Sequence, residues 1–218
     1  MMMKNRVFIE DFHIELNQAA VFKMMDCYED SPVYEEVCEA FLKWQPWIYA
    51  NVHPKAVLAW EPDAKVERLP EGVAGSDGLM YLLMTLGPEV ETEVTNCFGE
   101  GDYLEGMLLD AMADDYLFQM EARVQERLRI FCGDIGRGIL RRMEAPQDIP
   151  MEFHSHVLDA CGVAGEWQMS LSTGFMFSPV KTSCVVFELT KDMALFRAQH
   201  DCSHCPAVNC KLRKVAVK

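Results

Sequence analysis

The chain has 218 residues, of which 50% are hydrophobic, and its formal net charge is −14 at pH 7. A chain of this length buries about 70% of its unfolded surface on folding, which allows one large domain or two small ones. The acidic balance would repel nucleic acid and anionic membranes, so it argues against both as main partners.

The cysteine content points to a compartment. The chain has nine cysteines, an odd number, and three of them fall in a terminal cluster. No apolar leader follows Met1, and the longest apolar run, residues 79–86, is too short to cross a bilayer. Together these features predict a protein of the reducing cytoplasm.

The first third of the chain predicts a short strand and two helices. Loose alternation over residues 8–16 indicates the strand, and Asn17 can cap the first helix. Ser31 followed by a proline predicts the start of the second helix. After a strand at residues 56–60, the chain becomes rich in proline and glycine. We therefore expect an N-terminal α/β lobe over residues 1–75, unless the stretch that follows the strand is simply a long loop.

The middle of the chain, residues 76–190, predicts a mixed core of helices and strands. Its longest periodic segment, residues 102–131, predicts a central helix with an apolar face. A shorter helix should begin at Pro150 and end before Gly162. Strand signals lie before and after these helices, at residues 79–86, 139–143, 168–177 and 182–189.

The last segment, residues 191–218, carries a cysteine-rich coil. Cys202, Cys205 and Cys210 fall within nine residues that have no apolar periodicity. This is the spacing of metal ligands, because two thiols separated by two residues can bind one metal centre and a third thiol adds a further ligand. The proline after Cys205 favours an iron–sulfur cluster, preferably of the 4Fe–4S type. Structural zinc and ordinary reduced thiols remain as alternatives.

Three ligands are one fewer than either metal centre usually takes. The fourth would be supplied by another side chain or by a group outside the chain. The candidates within the chain are His200, His204, Cys184 and Cys161.

One carboxylate of the central helix is a further candidate. Asp110 shares a helical face with Tyr103, Met107 and Asp114, so it can line a pocket and bind a cofactor. A solvated helix edge is nevertheless the more frequent position for an aspartate.

Several stretches resemble one known family, the activation domain of cobalamin-dependent methionine synthase. Residues 86–90 (LGPEV), 100–104 (EGDYL) and 108–111 (LLDA) are similar to its strand, turn and central helix. Residues 171–179 (LSTGFMFSP) are similar to its strand that leads to a proline. The resemblance extends to about residue 189, and the cysteine coil resembles an appendix of some stand-alone bacterial members.

The resemblance implies an α+β fold with a twisted, mainly antiparallel sheet. In the family, the domain binds S-adenosylmethionine while the cobalt of a corrinoid is reduced from +2 to +1 and then methylated. Arg141 aligns with the arginine of the family's ligand motif, which makes it a candidate cofactor-binding residue. Residues 144–146 (EAP) replace the proline, glycine and tyrosine of that motif. Loss of the glycine and the tyrosine makes S-adenosylmethionine a doubtful ligand.

The coil and the resemblance together predict an accessory protein for the reductive reactivation of a corrinoid methyltransferase. It would relay an electron from an iron–sulfur cluster to the oxidised cobalt on the partner. The expected partners are a corrinoid protein or cobalamin-dependent methyltransferase and an electron donor protein. The alternative is a non-catalytic module that binds a corrinoid protein and has a zinc-stabilised tail. No independent catalytic constellation is visible, so the sequence leaves open whether the chain is an enzyme.

Overall fold

The computed structural model describes residues 5–62, 77–203, 205, 207 and 210–212. Within these residues the chain forms five helices and seven strands. In chain order they are β1 (Arg6–Ile9), α1 (Gln18–Met24), α2 (Tyr34–Asn51), β2 (Lys55–Glu61), β3 (Leu79–Thr85), α3 (Glu89–Glu100), α4 (Tyr103–Asp134), β4 (Gly138–Met143), α5 (Phe153–Cys161), β5 (Ser170–Leu171), β6 (Phe177–Ser178) and β7 (Thr182–Thr190).

Five of the strands form one sheet in the order β1-β2-β3-β7-β4, and each pairs antiparallel with its neighbours. β3 lies at the centre and all seven of its residues are buried. A strand covered on both faces is expected to be apolar throughout rather than alternating, as the sequence LMYLLMT is. The predicted α+β fold with a mainly antiparallel sheet is therefore confirmed.

Helices cover both faces of the sheet. Helices α1 to α4 pack on one face, where they meet alternate strand residues such as Leu82 and Val185. The other face is covered by α5, which meets the residues of opposite parity, such as Leu83 and Val186. This alternation follows from the two-residue period of strand side chains. No helix in the described residues is long and apolar enough to cross a membrane.

The N-terminal predictions hold in part. Asn17 caps α1, since its Oδ1 accepts a hydrogen bond of 3.1 Å from the backbone N–H of Ala20. Ser31 does not cap α2, because its hydroxyl accepts from the N–H of Tyr28 and closes a turn before the helix. The strand predicted at residues 8–16 is wrong beyond Ile9, since β1 spans only Arg6–Ile9. The segment after it lines a groove between α2 and α4.

The predicted domain boundary at residue 75 lies outside the described residues. The strands that precede and follow it, β2 and β3, are neighbours in the sheet and pair from Lys55↔Thr85 to Glu61↔Leu79. Strand signals at residues 168–177 produce only the two-residue strands β5 and β6, which form a separate small hairpin.

The chain after β7 returns to the free edge of β4. The Ile139 N–H donates to the carbonyl of Leu195 at 2.9 Å, and the Arg197 N–H donates to the carbonyl of Ile139 at 3.1 Å. Gly138 allows this approach, because a Cβ at that position would lie 2.0 Å from the carbonyl oxygen of Asp192. We call residues 191–200 the anchored segment; the cysteine coil follows it.

Candidate functional site

The anchored segment is held to α4 and β4 by one arginine. Arg142 is almost completely buried, and its Nη1 donates to the carbonyl of Ala198 at 3.1 Å. Its guanidinium also binds both carboxylate oxygens of Glu121 and one oxygen of Glu144. The Glu144 oxygen that binds Arg142, Oε1, also lies 3.2 Å from His200 Nδ1. We call Arg142, Glu121, Glu144 and His200 the arginine cluster.

Electrostatics in this cluster favour the charged forms of Glu144 and Arg142. Burial alone would raise the pKa of Glu144, but the charge and hydrogen bond of Arg142 outweigh it and hold this pKa below its ordinary value. Burial also opposes the charged form of Arg142 and would lower its pKa, but Glu121 and Glu144 raise this pKa above its ordinary value. A planar guanidinium suits this role because it binds two carboxylates and a carbonyl in fixed directions.

The predicted metal ligands follow the cluster directly. Cys202 and Cys205 are half-buried, and Cys210 is exposed. Beyond them, Lys211 Nζ donates to the carbonyl of Met24 at 3.2 Å and pairs with Asp26 at the end of α1. The coil thus has contacts to the body of the protein at both of its ends.

The donor chemistry of the coil fits a thiolate-bound metal centre, since three thiols lie close together in sequence. Among the residues described, however, no three His, Cys, Asp or Glu side chains lie close enough to share a metal ion. His204, one of the predicted fourth ligands, lies outside the described residues. His200 contacts Glu144.

Of the two distant cysteines predicted as fourth ligands, Cys161 is buried in the core and Cys184 is partly buried against it. Cys161 ends α5 and Cys184 lies on β7, on the sheet face that α5 covers. Burial raises the pKa of Cys161 to about 12 and also raises that of Cys184. A raised pKa opposes the thiolate form that binds metals. Cys161 and Cys184 stay predicted candidates for the fourth ligand.

Arg141 and Asp110, the two predicted cofactor-binding residues, lie far apart. Arg141 pairs with Glu188 at 3.0 Å, whereas Asp110 pairs with Lys181 at 2.8 Å. Glu188 lies on β7 and Lys181 immediately precedes this strand. The two partners are therefore seven residues apart, which corresponds to about 23 Å of extended chain. The structure does not bring Arg141 and Asp110 into one pocket.

Lys181 and its two carboxylate partners form a second charged group. We call Lys181, Asp110 and Asp114 the lysine cluster. Lys181 is buried, and its Nζ lies 2.6 Å from Asp114 Oδ1. Burial raises the pKa of Asp114, although the positive charge of Lys181 acts in the opposite direction. The cluster joins α4 to the chain just before β7.

A polar cluster that no sequence pattern indicated lies on the α5 side of the sheet. The Tyr81 hydroxyl donates to Glu61 Oε2 at 2.5 Å, and His156 Nε2 lies 2.8 Å from the same oxygen. These residues line a cavity of about 280 Å³. Burial, followed by the hydrogen bond to Glu61, raises the pKa of Tyr81. The cluster provides partners for a buried hydroxyl, and its three members come from three separate elements.

The fold and site define a class of structure, an α+β protein with an antiparallel sheet and an anchored cysteine-bearing tail. No protein-family model matches the chain. No curated protein matches it either.

Among solved structures, the chain is similar to one described as the MetH reactivation domain bound to AdoHcy. The match has a TM-score of 0.55 and 15% sequence identity, and it covers 75% of this chain and 68% of that one. At this identity the likeness shows a distant relation in fold, in agreement with the fold that the sequence resemblance implied.

Proposed function

We propose that this chain is an accessory protein for the reductive reactivation of a corrinoid methyltransferase. The observation that carries the proposal is its likeness in fold to the MetH reactivation domain. The substrate is the oxidised cobalt of a corrinoid on the partner, which gains one electron. The partners are a cobalamin-dependent methyltransferase and a protein that donates electrons, both in the cytoplasm.

Cys202, Cys205 and Cys210 would hold an iron–sulfur cluster. When bound, such a cluster supplies single electrons at low potential. The chain's own contribution is placement. Arg142 and the backbone of Ile139 fix the anchored segment on the β4 edge, so the coil begins at a defined position. Exposure of Cys210 keeps the end of the coil accessible to a partner.

The AdoHcy of the structural neighbour is not assigned to this chain. Arg141, the motif arginine, is paired with Glu188. Glu144, which replaces a motif residue, binds Arg142, and its backbone closes a turn with Asp148 through bonds of 2.8 and 3.0 Å. These contacts support the proposal that S-adenosylmethionine binding is weak or absent.

Metal and acid-labile sulfide analysis of protein purified without oxygen tests the proposal. We expect iron and sulfide in similar amounts and a visible absorbance that reductant bleaches. The variant Cys205→Ala should lose both. Cys38→Ala, which removes a thiol on α2 outside the coil, should keep them.

Two outcomes contradict the iron–sulfur assignment. Zinc without sulfide would support the alternative function, a non-catalytic module that binds a corrinoid protein and has a zinc-stabilised tail. Iron that persists in Cys205→Ala would show that the coil is not the site.

A further inference from the structure

One face of α4 is exposed although three large apolar side chains lie on it. Tyr103, Met107 and Phe118 are 64%, 53% and 53% exposed. Asp110 and Asp114 lie between them, and the five residues follow one another in steps of three or four. Such steps place side chains in one stripe along a helix. We call these five residues the α4 stripe.

Two neighbouring elements widen the stripe. The Phe98 ring of α3 lies 6.1 Å from the Tyr103 ring, and a Cβ on Gly106 would lie 3.0 Å from the Phe98 ring. Val180 precedes Lys181, which pairs with both aspartates of the stripe. Phe98 and Val180 are both exposed. Exposed apolar side chains that group on neighbouring elements indicate an interaction surface more often than isolated ones do.

The surroundings of the stripe are strongly acidic. Ten acidic residues and no Lys, Arg or His occur between residues 89 and 122. In the described ranges, the basic side chains that contact these carboxylates come from other elements and are fewer than the acids: Lys43, His53, Arg142 and Lys181. A surface with this balance attracts a basic partner and repels an acidic one.

The stripe also leads to the proposed metal site. One turn beyond Phe118, Glu121 binds Arg142, and Arg142 binds the carbonyl of Ala198. Cys202 follows four residues later. A partner that lies along the stripe would therefore extend toward the start of the cysteine coil.

We propose that the α4 stripe is a docking surface for a basic amphipathic helix of a partner protein. The stripe spans 16 residues, or about 24 Å of helix, which matches a partner helix of about four turns. Steps of three and four residues are those of a helix–helix seam, in which apolar side chains of one helix pack between those of another. Lysine or arginine residues beside the seam of the partner helix would face the carboxylates around the stripe.

Charge distinguishes this occupant from the others. A second copy of the chain would bring its own net charge of −14 against the same acidic surface. Nucleic acid and anionic membranes are repelled for the same reason. If the partner helix belongs to the corrinoid methyltransferase, as the proposed function implies, that identification rests on the proposed function. The docking surface itself does not depend on the cysteine coil or its metal.

Peptide binding to the full chain tests the inference. The probe is a synthetic 18-residue helical peptide with leucine at the seam positions and lysine elsewhere. A peptide of the same composition with the leucines scrambled is the control. Titration calorimetry should show binding of the patterned peptide that weakens as salt is added, because charge contributes to it. Protein prepared with metal and protein prepared without it should bind the patterned peptide equally well. A negative result in the metal assay would therefore not affect this test.

Matched variants locate the binding. Met107→Asn combined with Phe118→Asn should weaken binding about tenfold, since a few large side chains contribute most of the energy of an interface. Ile130→Asn removes an equally exposed residue farther along α4 and should leave binding unchanged. Both variants change exposed positions, and circular dichroism confirms that they fold.

Three results would overturn the inference. The scrambled peptide would bind as tightly as the patterned one, or the Met107/Phe118 double variant would bind normally. Alternatively, the chain alone would form dimers that this double variant abolishes, which would make a second copy the occupant.

Discussion

Two buried cations, Lys181 and Arg142, each lie between two carboxylates, and α4 contributes to both clusters. The lysine cluster uses Asp110 and Asp114 of α4, whereas the arginine cluster uses Glu121 of α4 and Glu144 after β4. Their cations are buried to the same degree, yet the pKa of Asp114 is raised and that of Glu144 is lowered. The guanidinium donates to both acids and to a carbonyl in fixed directions, so it compensates burial better than an ammonium does.

The two clusters also differ in what they hold. The lysine cluster joins α4, a helix that covers the sheet, to Lys181, which immediately precedes β7. The arginine cluster joins α4 and β4 to the anchored segment, through the carbonyl of Ala198. Damage to the first should affect the fold alone, whereas damage to the second should also release the cysteine coil.

The largest effect is expected for Arg142→Met. It leaves Glu121 and Glu144 without their cation, and loss of one partner from a buried ion pair costs about 3 kcal/mol. Denaturant unfolding measures this free energy, and limited proteolysis should show faster cleavage near residue 200. Arg127→Met, which breaks an exposed pair with Asp11, is the matched control and should cost less than about 1 kcal/mol. Equal costs for the two variants would contradict the account.

Lys181→Met should have a smaller effect of about 2 kcal/mol, in the range for hydrogen bonds to charged groups. The cost is moderated because Asp114, whose pKa is already raised, can take up a proton when the lysine is lost. The metal content of the protein and the cleavage rate near residue 200 should stay unchanged. Release of the anchored segment in this variant would show that the two clusters are not separate.

The smallest effect concerns pH. The pKa of Glu144 is lowered in the folded protein, so its stabilising contribution is complete above its unfolded pKa and is lost as pH falls through the lower, folded value. We expect the free energy of unfolding to fall with acidification below about pH 4.5, the ordinary range of a glutamate. Glu144→Gln should reduce this acid dependence by about 1 kcal/mol or less. An unchanged pH profile in Glu144→Gln would assign the acid sensitivity to other groups.

Local sequence patterns predicted much of the fold. The apolar run of β3 indicates a strand buried on both faces. The long stretch of helical periodicity that becomes α4 indicates a central helix. Gly162 ends α5 in a left-handed conformation, as the sequence predicted. Each of these signals depends on neighbours within one element, which is the information that a sequence carries most directly.

The site was less predictable because it depends on contacts between distant segments. A bulge at Leu140 shifts the register of β4 against β7, so Arg142 rather than its neighbour Arg141 is the buried arginine. Nothing in a run of two arginines reveals which one a bulge will bury. The return of the anchored segment to β4 likewise depends on an edge that forms only in the folded sheet.

The most direct test of the central claim is electron transfer to cobalt. Chemically reduced, iron-loaded protein would be freed of excess reductant and mixed without oxygen with a cobalamin-dependent methyltransferase that holds cobalt in the +2 state. The account predicts that the absorbance of cobalt(I) appears as the protein loses electrons, and that Cys205→Ala protein produces none. The absence of cobalt(I) with the wild-type protein, or equal amounts with Cys205→Ala, would contradict it.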